Sequence, residues 1–141
     1  MSLNRSELRI KIMTILYQIN VYETNKVEYN VDDVIKSVYE IDNEFVKEIV
    51  YGVVTYKDKL TNIANTYLNG WTINRLGNTD QAILLMGIYA LMYTDTPPIV
   101  VINESVNLAK LYSDDKVKNM INACLDKVYH EELDKEDNDA R

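Results

Sequence analysis

Arg5 and Arg9 stand four residues apart near the start of the chain. On a helix that spacing puts both guanidinium groups on one face. Lys11 and Asn20 flank this face, and Tyr17 lies about 80° around from Arg9 at 100° per residue. Paired arginines can hold phosphate oxygens through charge-assisted hydrogen bonds. Taken alone, such a pair is more often a solvated helix face. The other reactive side chains read as structural. Asp32-Asp33 and Asp114-Asp115 could serve acid–base chemistry, but both pairs fall where helix starts favour carboxylates. His130 adjoins an acidic run and reads as a solvated surface residue. Cys124 falls on an apolar stripe, whereas a reactive thiol needs an exposed, electropositive setting. No glycine-rich phosphate loop and no His-Glu-x-x-His occurs. The chain reads as a binding protein, not an enzyme.

Helices must position these residues. Leu8, Ile12, Ile15, Leu16 and Ile19 recur at helical spacing, predicting a helix over residues 3–22. A short helix is expected over 31–39, capped by Asn30. Phe45, Ile49, Val53, Tyr56, Leu60, Ile63 and Tyr67 predict one long amphipathic helix starting at Asp42-Asn43. Gly52 lies inside it and implies a close helix–helix approach, since glycine there costs about 1 kcal/mol relative to alanine. Trp71 to Leu76 reads as a short connecting turn or a small helix, closed by Gly77. Asn78 and Gln81 have the spacing of a capping box for a central, almost wholly apolar helix over 79–92. Gly87 would let a neighbour pack closely on it. Pro97-Pro98 opens the next helix, over 101–111. Ser113-Asp114-Asp115 caps a last helix whose stripe is Val117, Met120, Ile121, Cys124, Leu125 and Val128.

The 141 residues suffice for one domain with a real core. We expect residues 1–130 to form a single helical domain and residues 131–141 a disordered acidic tail. The net charge is -7, unevenly spread. Residues 1–20 hold three cations against one acid; residues 130–141 hold six acids against two cations. Beyond a Debye length of about 8 Å charges are largely screened, so a local basic face can bind phosphates on an acidic protein. Such binding should be weak without a partner. One cysteine excludes an internal disulfide. No apolar run approaches the roughly 18 residues of a membrane span, and no signal-peptide core follows Arg5. A cytoplasmic location, without membrane or cofactor, is expected.

Four stretches stand in a telling order: Trp71-Thr-Ile-Asn-Arg75-Leu76, Asp80-Gln-Ala-Ile-Leu84, Pro97 to Lys110 with its Ile-Asn103-Glu104-Ser-Val run, and Asn122-Ala-Cys-Leu-Asp126-Lys127. Together they resemble the NusB family of transcription antitermination factors, over about residues 3–129. The resemblance implies an all-α fold of six or seven helices in two small packed bundles. It implies binding of boxA-type single-stranded RNA from ribosomal RNA leaders, in a heterodimer with the ribosomal protein NusE. The complex would act with other Nus factors on elongating RNA polymerase. Residue by residue, the implied RNA contacts are Arg5, Arg9, Tyr17, Lys116, Lys118, Asn119 and Met120, and the implied partner contacts are Tyr17 and Asp80. We expect the first helix and the start of the last to form one composite basic surface. Some family members pair through the RNA-binding surface, which leaves a homodimer open.

Four positions depart from the family pattern. Ser6 and Glu7 replace residues that are often basic, Met120 replaces a common aromatic, and Ala123 replaces a glycine. An aromatic stacked on a base is worth about 1–3 kcal/mol, and a thioether supplies less. The alternative reading is a protein-interaction module of the same fold without useful RNA affinity.

Overall fold

The computed structural model describes residues 3–133. Its helices are α1 (Arg5–Thr24), α2 (Val31–Val38), α3 (Glu44–Thr55), α4 (Lys57–Tyr67), α5 (Asn78–Tyr93), α6 (Pro98–Tyr112) and α7 (Asp115–Val128). A 3₁₀ turn (Ile73–Arg75) joins α4 to α5, and a π-helical turn (Tyr129–Leu133) extends α7. The described residues contain no strand, so the fold is all-α with seven helices. None of these helices is long and apolar enough to cross a membrane.

Local chemistry explains most boundaries. Asn4 accepts the Glu7 N–H at 2.8 Å while its own N–H donates to Glu7 Oε1 at 3.2 Å, a complete capping box. Asn30, Asn43 and Asp114 each accept from the backbone three residues on, satisfying a donor that the helix leaves unpaired. Proline opens α6, where its missing N–H costs nothing.

Helices α1 to α3 pack as one group and α4 to α7 as another. The apolar α5 belongs to both, touching α1, α3, α4, α6 and α7. Two glycines permit this. A Cβ on Gly52 would lie 2.1 Å from Tyr89 Cζ, so the Tyr89 ring of α5 fills that space. A Cβ on Gly87 would lie 2.9 Å from Ser105 Oγ and 3.2 Å from Leu125, so α6 and α7 close on α5 there. Cys124 is buried, and burial pushes its thiol up to about 12.

Two expectations need correction. The long helix over residues 43–67 is two helices, broken at Tyr56 (φ -102°, ψ 19°). Helix α3 packs on α1 and α5, whereas α4 packs on α5 and α7. One straight rod cannot serve both directions. Tyr56 still donates its N–H to Gly52 O and accepts from Leu60 N–H, so the apolar stripe stays in phase through the bend. Its ring stacks on Tyr93 of α5, centroids 4.6 Å apart. The Asn78–Gln81 capping box is also absent. Gly77 is the cap, the Asn78 amide turns to Asn20 of α1, and Gln81 donates to Leu76 O at 2.8 Å. Tertiary pairing with α1 wins over local capping. Of the stretch expected as a tail, Glu132 accepts a hydrogen bond from Tyr67 at 2.8 Å; residues 134–141 lie outside the described residues.

Candidate nucleic-acid interface

The basic residues of α1 stand on an aromatic and beside an acid. Arg5 Cζ lies 3.9 Å from the centroid of Phe45 on α3, and Arg9 Cζ lies 5.4 Å from it. Both contacts are cation–π interactions. Glu104 of α6 faces them. Ser6 Oγ donates to its two oxygens at 2.9 and 3.1 Å, and Arg9 Nη1 stands 3.9 Å away. Burial lowers the Arg9 guanidinium from its ordinary value; Glu104 opposes this and Arg5 adds to it. Arginine remains charged throughout. The two departures in this motif therefore have structural work. Glu7 caps α1, and Ser6 ties α1 to α6 through Glu104.

A second cluster sits where the 3₁₀ turn, the start of α5 and the start of α7 meet. The Trp71 ring has Arg75 Cζ at 4.4 Å and Lys116 Nζ at 5.2 Å from its centroid. These residues, with Asp80, Val117 and Met120, line a groove of about 230 Å³. Asp80 accepts a hydrogen bond from Ser113 Oγ, tying the start of α5 to the end of α6. Lys118 pairs with Asp115 at 3.6 Å, Asn119 is exposed, and Met120 is half-buried. Tyr17 is 41% exposed on α1.

Five of the predicted residues fall into two clusters, while Tyr17, Lys118 and Asn119 stand outside both. Arg5 and Arg9 share one; Lys116, Met120 and Asp80 share the other. Glu104 marks the first cluster on α6 and Ser113 marks the second at its end. These two markers are nine residues apart on α6, about 13 Å of axial rise and half a turn around the helix. Sequence reasoning missed Phe45 and Glu104 as partners of the arginines, and Trp71 and Arg75 as walls of the groove. Trp71 and Arg75 were legible as motif residues only. Nothing in the local pattern couples Phe45 or Glu104 to Arg9. Among the described residues no group of three or more His, Cys, Asp or Glu side chains could hold a metal ion.

The pattern of the NusB family matches residues 6–130. This chain belongs to the NusB family. A transcription antitermination protein NusB of Macrococcus caseolyticus is 35% identical over 128 residues, covering 89% of this chain and 96% of that protein. Its counterpart in Halalkalibacterium halodurans is 35% identical over 127 residues, covering 89% and 93%. The solved structure of antitermination factors NusB and NusE in complex with double-stranded RNA is 24% identical. It covers 90% of this chain and 96% of that one with a TM-score of 0.78, which establishes the shared NusB fold.

Proposed function

We propose that this chain is a transcription antitermination factor. It binds boxA-type single-stranded RNA of ribosomal RNA leaders as a heterodimer with the ribosomal protein NusE, and acts with other Nus factors on elongating RNA polymerase. Membership of the NusB family across residues 6–130 carries this reading. The chain acts by binding and not by catalysis, and it works in the cytoplasm. Arg5 and Arg9 on α1, with Lys116 and Lys118 on α7, neutralise phosphates. Asn119 and Met120 face splayed bases, which single-stranded RNA offers on their edges and ring faces. Tyr17 and Asp80 contact the protein partner, Tyr17 near the RNA as well.

One observation favours a second reading, a protein-interaction module without useful RNA affinity. Glu104 stands against Arg9 and partly offsets its charge. Binding of a fluorescent boxA-like RNA, with and without NusE and at two salt concentrations, separates the two. Salt-sensitive binding that appears with the partner supports the antitermination factor, and a slope of about -0.7 per neutralised phosphate counts its contacts. A stable heterodimer that ignores RNA supports the module. Sedimentation of the chain alone tests whether it forms a homodimer.

A further inference from the structure

The groove at the start of α7 does not end at Met120. A second hollow of about 150 Å³ lies on the far side of that residue, lined by Tyr67, Leu68, Asn69, Ala123 and Lys127. Met120 is the wall common to both hollows. At 100° per residue Lys116, Met120, Ala123 and Lys127 fall within about 60° of one stripe along α7. The stripe has a cation at each end, about 16 Å apart along the axis, with an apolar floor between. Its facing wall is the segment from the end of α4 to Trp71. That wall is held in place: Asn65 Oδ1 accepts the Ile73 N–H at 2.7 Å, Trp71 N–H donates to Leu68 O at 3.2 Å, and Tyr67 donates to Glu132. Asn69 and Lys127 are both exposed at the second hollow.

We propose that the RNA track continues along this stripe, and that the second hollow is a further nucleotide subsite. Lys127 holds a phosphate there and the Asn69 amide reads a base edge. An amide presents two donors and an acceptor, which suits a base edge; an ammonium presents three donors, which suits a phosphate. The apolar floor of Met120 and Ala123 suits the face of a base. Continuity with the groove that carries Arg75 and Lys116 selects RNA over an acidic peptide. The proposal rests on the RNA-binding reading above and extends it to residues beyond the start of α7.

The test uses the heterodimer with NusE, a fluorescent boxA-like RNA and a salt titration. Lys127→Gln should weaken binding several-fold and make the salt slope shallower by about 0.7. Asn69→Ala should weaken binding several-fold with the slope unchanged. Trimming the RNA from one end, nucleotide by nucleotide, should reach a length at which Lys127→Gln and the parent chain bind alike. Both substituted residues are exposed, so neither change touches the core. Parent-like affinity and slope in both variants, while Arg5→Ala/Arg9→Ala loses RNA, would overturn the subsite and leave the antitermination reading standing. Loss of NusE affinity in Lys127→Gln with the RNA slope unchanged would make the stripe a protein interface instead. A parent heterodimer that binds no RNA would overturn both proposals.

Discussion

The two cation clusters are built differently. On α1, Arg5 and Arg9 lie against Phe45, and Arg9 faces a carboxylate already held by Ser6. At the start of α7, Lys116 shares the Trp71 ring with Arg75 and borders an open groove. The first cluster is pre-ordered and partly neutralised. The second has carboxylates of its own, Asp80 accepting from Ser113 and Asp114 capping α7, but its cations border an open groove. Pre-ordering lowers the entropy cost of binding, whereas a nearby acid lowers the electrostatic gain. The difference suggests that α1 sets register and that the α7 groove supplies contact with bases.

Removing the α1 arginines should break the comparison most sharply. Arg5→Ala/Arg9→Ala should cost the heterodimer on the order of a hundredfold in RNA affinity, at about 1.5 kcal/mol for each charged hydrogen bond. Partner affinity should survive, as titration of NusE would check. Unchanged RNA affinity would move the interface off α1. Met120→Phe should sharpen the role of the groove. Restoring an aromatic there should tighten RNA binding about tenfold, within the range for base stacking. A loss of affinity would mean that the groove takes no base.

Glu104→Gln should have a smaller effect, and of a telling sign. Ser6 can still donate to the amide oxygen, but the counter-charge beside Arg9 is gone. RNA should bind a few-fold more tightly, while stability falls by about 1–3 kcal/mol, the range for losing a partner of a largely covered charged group. Tighter binding with a steeper salt slope would show that Glu104 restrains Arg9. The smallest expected change is none. Cys124 is buried with its thiol raised to about 12, so thiol reagents should fail to label any of these variants before they unfold. Rapid labelling of a variant would assign its phenotype to a damaged core instead of a lost contact.

Much of the fold was legible because its determinants are local. Asn30 and Asp114 cap the helices expected of them, and the apolar stripes of α1, α5 and α7 lie in the core, except that Val117 and Met120 of the α7 stripe are only half-buried and line the groove. Gly52 and Gly87 mark the close approaches that their positions implied. The break at Tyr56 was not legible, since the stripe keeps its phase across the bend. The Asn78 cap misled for a related reason. Its partner is Asn20, 58 residues away, and no local rule weighs that pairing against a cap.

The order of motifs from Trp71 to Lys127, read on the sequence alone, determined the family, and periodicity determined an all-α chain with a central apolar helix. Only the tertiary structure decided what surrounds each candidate side chain. Ser6 meets Glu104 across 98 residues, and Lys116 reaches Trp71 from another helix. Helical periodicity says which face of an element is buried. It does not say which face of another element lies opposite, because that depends on how α5 is shared between the two helix groups. The same packing set a partly neutralised cluster on α1 and an open groove along α7.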